Sequence, residues 1–205
     1  MAYGLPKSEG PAWRKIERSG DINERFVFGQ ARVESPDYQE AVRVLIERYR
    51  REGTKVTFSE GIELIKRYQP FEPDRRVPQD PANPTKQFPN NLRERVIEKL
   101  GLSPRAAKLV RFWTAVGTIV DTEFKTDALI ERAGASEREP SRYVRLDASL
   151  YQGETDETEE DRRYRVIIPE VPDVHEEPKR YREFVDTIAD EVVDKLRAQE
   201  VPLAK

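Results

Sequence analysis

The 205-residue chain has no cysteine and a single histidine, His175. The first absence excludes disulfides, zinc fingers, iron–sulfur clusters and thiol catalysis together. The second removes His-rich metal sites and argues against a Ser-His-Asp triad. Any metal is therefore expected on oxygen ligands, which favours magnesium, manganese or calcium. No stretch approaches the roughly 20 apolar residues of a membrane span, and the opening MAYGLPKSEGPAWRK has no apolar signal core, so a cytoplasmic location without membrane contact is the expectation. Neither GxxxxGK[ST] nor GxGxxG occurs, which leaves nucleotide-driven chemistry without a motif. Charge of neither sign dominates: 36 basic residues face 39 acidic ones for a net charge of −3. The whole-molecule field does not draw nucleic acid, and only local patches can.

Charged residues and hydrophobic residues each make up 37% of the chain, which also carries eighteen aromatics. A chain of this kind folds, with a large solvated surface. The expected fold class is α+β, with helices on a small mixed or antiparallel sheet and a helix-strand-strand-strand-helix core. An N-terminal helical hairpin and an extended arm precede it as appendages. The sequence predicts four regions: an arm over 1–34 with a short strand at Arg25 to Phe28, a helical hairpin over 35–69, a proline-rich strap over 70–89, and the α+β domain over 90–205.

In the hairpin, Ser35-Pro36 reads as an N-cap followed by proline at the first helical position, and Gly53 as the stop. TFSE offers a capping box from Thr57 to Glu60 before a stripe of Phe58, Ile62, Ile65 and Tyr68. Two helices on a short turn also suit DNA binding, but the mixed set Glu60, Glu63, Lys66 and Arg67 argues for packing or partner binding. The strap, PFEPDRRVPQDPANPTKQFP, holds six prolines and is expected to be anchored by Phe71 and Phe88. From Asn91 the pattern becomes dense and predicts a helix from about Leu92 to Leu100, then a central helix from Pro104 to Val116 with Arg105, Lys108 and Arg111 as a basic ridge. Strands follow at 126–131, 143–150 and 164–169, and a final amphipathic helix at 178–198. The ridge is a candidate for contact with nucleic-acid phosphates, and a solvated helical face is the simpler alternative. ETDETEED, residues 154–161, reads as a solvated hairpin loop. Trp113 is expected in the core and Trp13 on the arm.

Residues two apart on a strand share a face. In YVRLDASL this sets Val144, Leu146 and Ala148 toward the core and Tyr143, Arg145, Asp147 and Ser149 opposite. In KTDALIE it groups Asp127, Leu129 and Glu131. If the two strands are neighbours, Asp127 and Asp147 converge with Asp121 close by, as a hard divalent cation requires. The bland alternative leaves both acids in solvent, one of them paired with Arg145 across the strands.

The element order over residues 104 to about 198, with the stretches GTIVDTEFKTDALIE and YVRLDASL, resembles the PD-(D/E)XK nuclease superfamily. The resemblance implies a metal-dependent phosphodiesterase on DNA or RNA, active or degenerate, using Mg2+ or Mn2+ on Asp127, Asp147 and Asp121. Asp127 corresponds to the first motif acid and Asp147 to the second. The family lysine falls on Ser149, and residues 104–116 lack the family's helical acid; Lys125 is the candidate substitute cation, with Lys179 or Arg180 at the start of the final helix as alternatives, and Asp121 or Glu131 is the assisting acid. The alternative function is a non-enzymatic assembly protein that docks on a partner, or on itself, through residues 1–89.

Overall fold

The computed structural model describes residues 19–29, 31, 33–68, 80–136, 139–148 and 163–199. The helices are α1 (Ser19–Phe28), α2 (Pro36–Glu52), α3 (Phe58–Tyr68), α4 (Gln87–Lys99), α5 (Pro104–Ala107), α6 (Ile119–Phe124) and α7 (Pro178–Ala198). The strands are β1 (Val110–Thr114), β2 (Ala128–Arg132), β3 (Arg142–Asp147) and β4 (Arg165–Ile167). They form one mixed sheet in the order β1-β2-β3-β4. β1–β2 and β2–β3 are antiparallel, and β3–β4 is parallel. The fold is α+β, as expected.

Alternation along the strands builds two cores. Phe112, Ala128, Ile130, Val144, Leu146 and Val166 face one way, against Leu92 and Val96 of α4 and the apolar stripe of α7. Trp113 and Leu129 face the other way, against Ile62 and Ile65 of α3 and Ile119 and Val120 of α6. The hairpin is therefore a layer of the fold, not the expected appendage. Its close seat depends on Gly61, where an added Cβ would meet Val120 Cγ2 at 2.5 Å. Val120 is fully buried and stiff at χ1, so it has little room to yield. Gly61→Ala is expected to cost about 1 to 2 kcal/mol net, overpacking outweighing the gain in helix propensity, read as a lower urea midpoint.

The hairpin forms as its sequence requires. Ser35 Oγ accepts from Tyr38 N at 3.2 Å, and Gly53 ends α2 in the left-handed region with φ 64°. Glu60 Oε2 accepts from Thr57 N at 3.1 Å, while Glu60 N donates to Thr57 Oγ1 at 3.4 Å, completing the capping box. Arg48 and Tyr49 of α2 also bond Glu60, tying the two helices together. Tyr38 reaches further: its hydroxyl accepts from Ile119 N at 3.0 Å at the start of α6, and burial pushes the phenol up to about 12.

Three expectations are corrected. The central helix over 104–116 does not exist: Ser103 caps a helix that ends at Ala107, and VRFWT is strand β1. An apolar run around a whole helical circumference is also what a strand covered on both faces looks like, and β-branched and aromatic residues tip the choice to strand. The strand expected at Arg25 to Phe28 is the last turn of α1; Phe28 enters the core 6.2 Å from Phe112 by ring centroids while Phe26 stays 79% exposed. The strap gives way to α4 already at Gln87, with Phe88 buried as expected and Pro89 accommodated in the first turn. Phe71, Trp13, Ser149 and the acidic run 154–161 lie outside the described residues.

Residues 80–83 also cover the β1 edge of the sheet at Phe112. Phe112 N donates to Pro81 O at 2.7 Å, next to a turn bridging Asp80 and Asn83. Behind it the buried Arg93 donates to Val110 O at 2.7 Å and Ala107 O at 2.9 Å. Edge carbonyls and amides that would otherwise invite another strand are thereby occupied.

Candidate functional site

The acids converge where β2 begins and β3 ends. Asp127 precedes the last paired rung, Ala128–Leu146, and its backbone is held from both sides: Asp127 N donates to Leu146 O at 2.9 Å, and its carbonyl accepts from Ala115 N at 2.7 Å. Its side chain is buried, and Oδ2 accepts from Ala148 N at 2.7 Å. Burial is the main cause that pushes this carboxyl up to about 9, and the charges of Glu24, Asp121 and Asp147 add to it against the Ala148 hydrogen bond. Asp147 is the last residue of β3 and is bonded by the buried guanidinium of Arg165 from β4. Asp121 sits in the first turn of α6, where Oδ2 accepts from Gly117 N at 2.7 Å.

Three acids, Glu24, Asp121 and Asp147, therefore act on the one buried carboxyl of Asp127, with Arg165 bonded to Asp147. Glu24 comes from α1, in the region expected to be an arm, whereas the family pattern places its helical acid in 104–116. The signal was there in Glu24 and Phe28, four apart and so on one helical face.

Other candidates lie elsewhere. Lys125 caps α6 in the left-handed region with φ 49° and is exposed. Residues 125–127 are not strand, so the alternation that would have aimed Lys125 at the acids does not reach it. Arg145 takes neither acid in its described hydrogen bonds: its Nε donates to Thr126 Oγ1 at 2.9 Å and its guanidinium bonds Phe124 O, over the Phe58 ring. The expected basic ridge is dispersed by the change from helix to strand. Arg105 and Lys108 are exposed on and just after α5, whereas Arg111 lies on β1 with its guanidinium 3.7 Å from Glu131.

Glu131 belongs to a separate buried cluster between β2 and α3. Lys66 Nζ stands 2.7 Å from its Oε1, Tyr143 OH donates to the same oxygen at 3.0 Å, and Trp113 Nε1 donates to Oε2 at 2.8 Å. Burial opposes its ionisation, but the bonds from Lys66 and Trp113 outweigh burial and hold the carboxyl below its ordinary range.

Carboxylates are the donors a hard divalent cation takes, and Asp127, Asp147 and Asp121 are of that kind. Among the described residues no three such groups form a ready-made cage. Nor is any described helix long and apolar enough to cross a membrane. The molecule is thus an α+β protein with an acid-rimmed mixed sheet. Compared with family models, curated proteins and solved structures, the chain matches none.

Proposed function

We propose that the chain is a nuclease-like phosphodiesterase that acts on DNA or RNA with a divalent cation, at the rim where β2 begins and β3 ends. The observation that carries this reading is that Asp127, just before β2, and Asp147, the last residue of the neighbouring antiparallel β3, lie at one end of the sheet, with Asp121 and Glu24 in the same field. A buried carboxyl surrounded by like charges destabilises a fold unless a cation or a proton compensates, and such arrangements concentrate at functional sites. Magnesium or manganese would be held by Asp127, Asp147 and Asp121, and it supplies polarisation of the phosphoryl oxygen and a more acidic water. Asp127 keeps its proton until then. Arg165 neutralises Asp147 and supplies the cation that the family pattern expects from a lysine at position 149; a planar guanidinium also suits a phosphate. Arg105 and Lys108 are the exposed candidates for contact with flanking phosphates.

Calorimetric titration with manganese and magnesium tests the reading. Saturable binding is expected, lost in Asp127→Asn and Asp147→Asn. At neutral pH the heat should vary with the buffer's ionisation enthalpy, because Asp127 must release its proton. A flat titration at millimolar metal, or binding unchanged in both variants, would sink the proposal.

A further inference from the structure

We propose that the outer face of α2 is a self-association surface, on which two copies of this chain pair about a two-fold axis passing close to Val44. The inference is independent of the metal site. Val44 is 51% exposed, one of two large hydrophobic side chains left in solvent among the described residues. Beside it runs a groove of about 1020 Å³ between α2 and α3, lined on its apolar side by Ala41, Leu45, Leu64 and Tyr68.

What selects a second copy as the occupant is the order of charges about Val44. Asp37 and Glu40 lie seven and four residues before it, and Arg48 and Arg51 four and seven after it. At 100° per residue all four fall within about 40° of the line through Val44. The face is therefore acidic at one end, apolar at the centre and basic at the other end. An antiparallel copy sets Glu40 against Arg48 of the second copy and Asp37 against Arg51 of the second copy, and the same pairs recur on the other side of the axis. A parallel copy would oppose like charges, and a partner of one charge sign would suit only one end.

Existing contacts leave the outer pair of charges available, whereas Glu40 of the inner pair already accepts from Arg43 Nε of its own helix at 2.8 Å and would be shared between that cation and the second copy. Asp37 and Arg51 are exposed at opposite ends of the helix. Arg48 is bonded to Glu60 of α3 and keeps 42% of its side chain in solvent, so it meets the second copy while still holding Glu60. The one discordant acid on this face, Glu47, is held 2.7 Å from Arg43 of its own helix. Two hairpins joined in this way form a four-helix arrangement with the α2 pair at its centre.

Sedimentation equilibrium of the full chain from about 1 to 100 μM measures the association directly. The wild type is expected to populate a two-chain species in this range. Val44→Glu is expected to weaken pairing by at least tenfold, the scale of removing a central apolar contact and burying an unpaired charge there. Asp37 and Arg51 are exposed in the first and last turns of α2, so Asp37→Arg and Arg51→Glu each oppose the helix dipole only weakly, and urea unfolding of each variant checks that the fold is kept. Each alone should weaken association several-fold, and together they should restore it, because the swapped charges again face their opposites. A single-chain mass throughout the range overturns the proposal. So does association that ignores Val44→Glu, or a double variant that pairs no better than the single ones.

Discussion

Lys66→Met is expected to destabilise the fold by about 3 kcal/mol, because it leaves the Glu131 carboxylate buried without its cation. Glu131 has a side chain only 1% exposed, whereas Lys66 retains 23%, which places the loss at the lower end of what breaking a buried pair costs. Urea unfolding is the measurement, and pH gives a second handle. The Glu131 carboxyl is held below its ordinary range, so its contribution is present above the unfolded-state value of about 4.3 and is lost as pH falls through the folded value. The gap between wild type and Lys66→Met should therefore narrow in acid, where Glu131 is protonated and no longer needs the lysine. Adding Glu131→Gln to Lys66→Met should recover much of the stability at neutral pH. A glutamine oxygen still accepts from Trp113 Nε1, and its amide can donate to Tyr143 OH, leaving no buried charge to compensate. If Lys66→Met unfolds at the wild-type urea concentration, the cluster is not what holds α3 to the sheet.

Asp127→Asn should have an effect of similar size and opposite sign. The Asp127 carboxyl is pushed up to about 9, so between the unfolded value of about 3.9 and that point the folded chain holds a proton the unfolded chain has released. Stability then falls as pH rises through this window, with a slope approaching 1.4 kcal/mol per pH unit. The variant removes the titrating group while its side-chain oxygen still accepts from Ala148 N, so it should gain about 3 kcal/mol at pH 7 and lose most of that slope. Millimolar manganese should raise the melting temperature of the wild type by mass action and leave the variant unmoved. A variant no more stable than the wild type at pH 7 would mean that the acids around position 127 are better solvated than their burial implies.

Much of this architecture can be read along the chain. Local chemistry marks the ends of α2 at Ser35 and Gly53 and the start of α3 at Thr57 and Glu60, because caps are settled within four residues. Period-two alternation places Val144 and Leu146 opposite Arg145 and Asp147, and the apolar stripe of α7 names its buried face. The same local signals fail at VRFWT. A strand covered on both sides loses the alternation that identifies strands, and only the α3 layer on one face and the α4 and α7 layer on the other explain why every side is apolar.

The sequence by itself determined the fold class, the bounds of α2, α3 and α7, and the place of Asp127 and Asp147 near the ends of adjacent strands, since each depends on periodicity and neighbours in the chain. Tertiary structure decided the rest of the site. It brought Glu24 from α1 and Arg165 from β4 to the acids, exposed Lys125, and turned Arg111 and Glu131 into parts of a structural cluster. Those choices depend on which elements pack together across more than a hundred residues. Burial and the field of distant charges, which set the protonation of Asp127, exist only once that packing is complete.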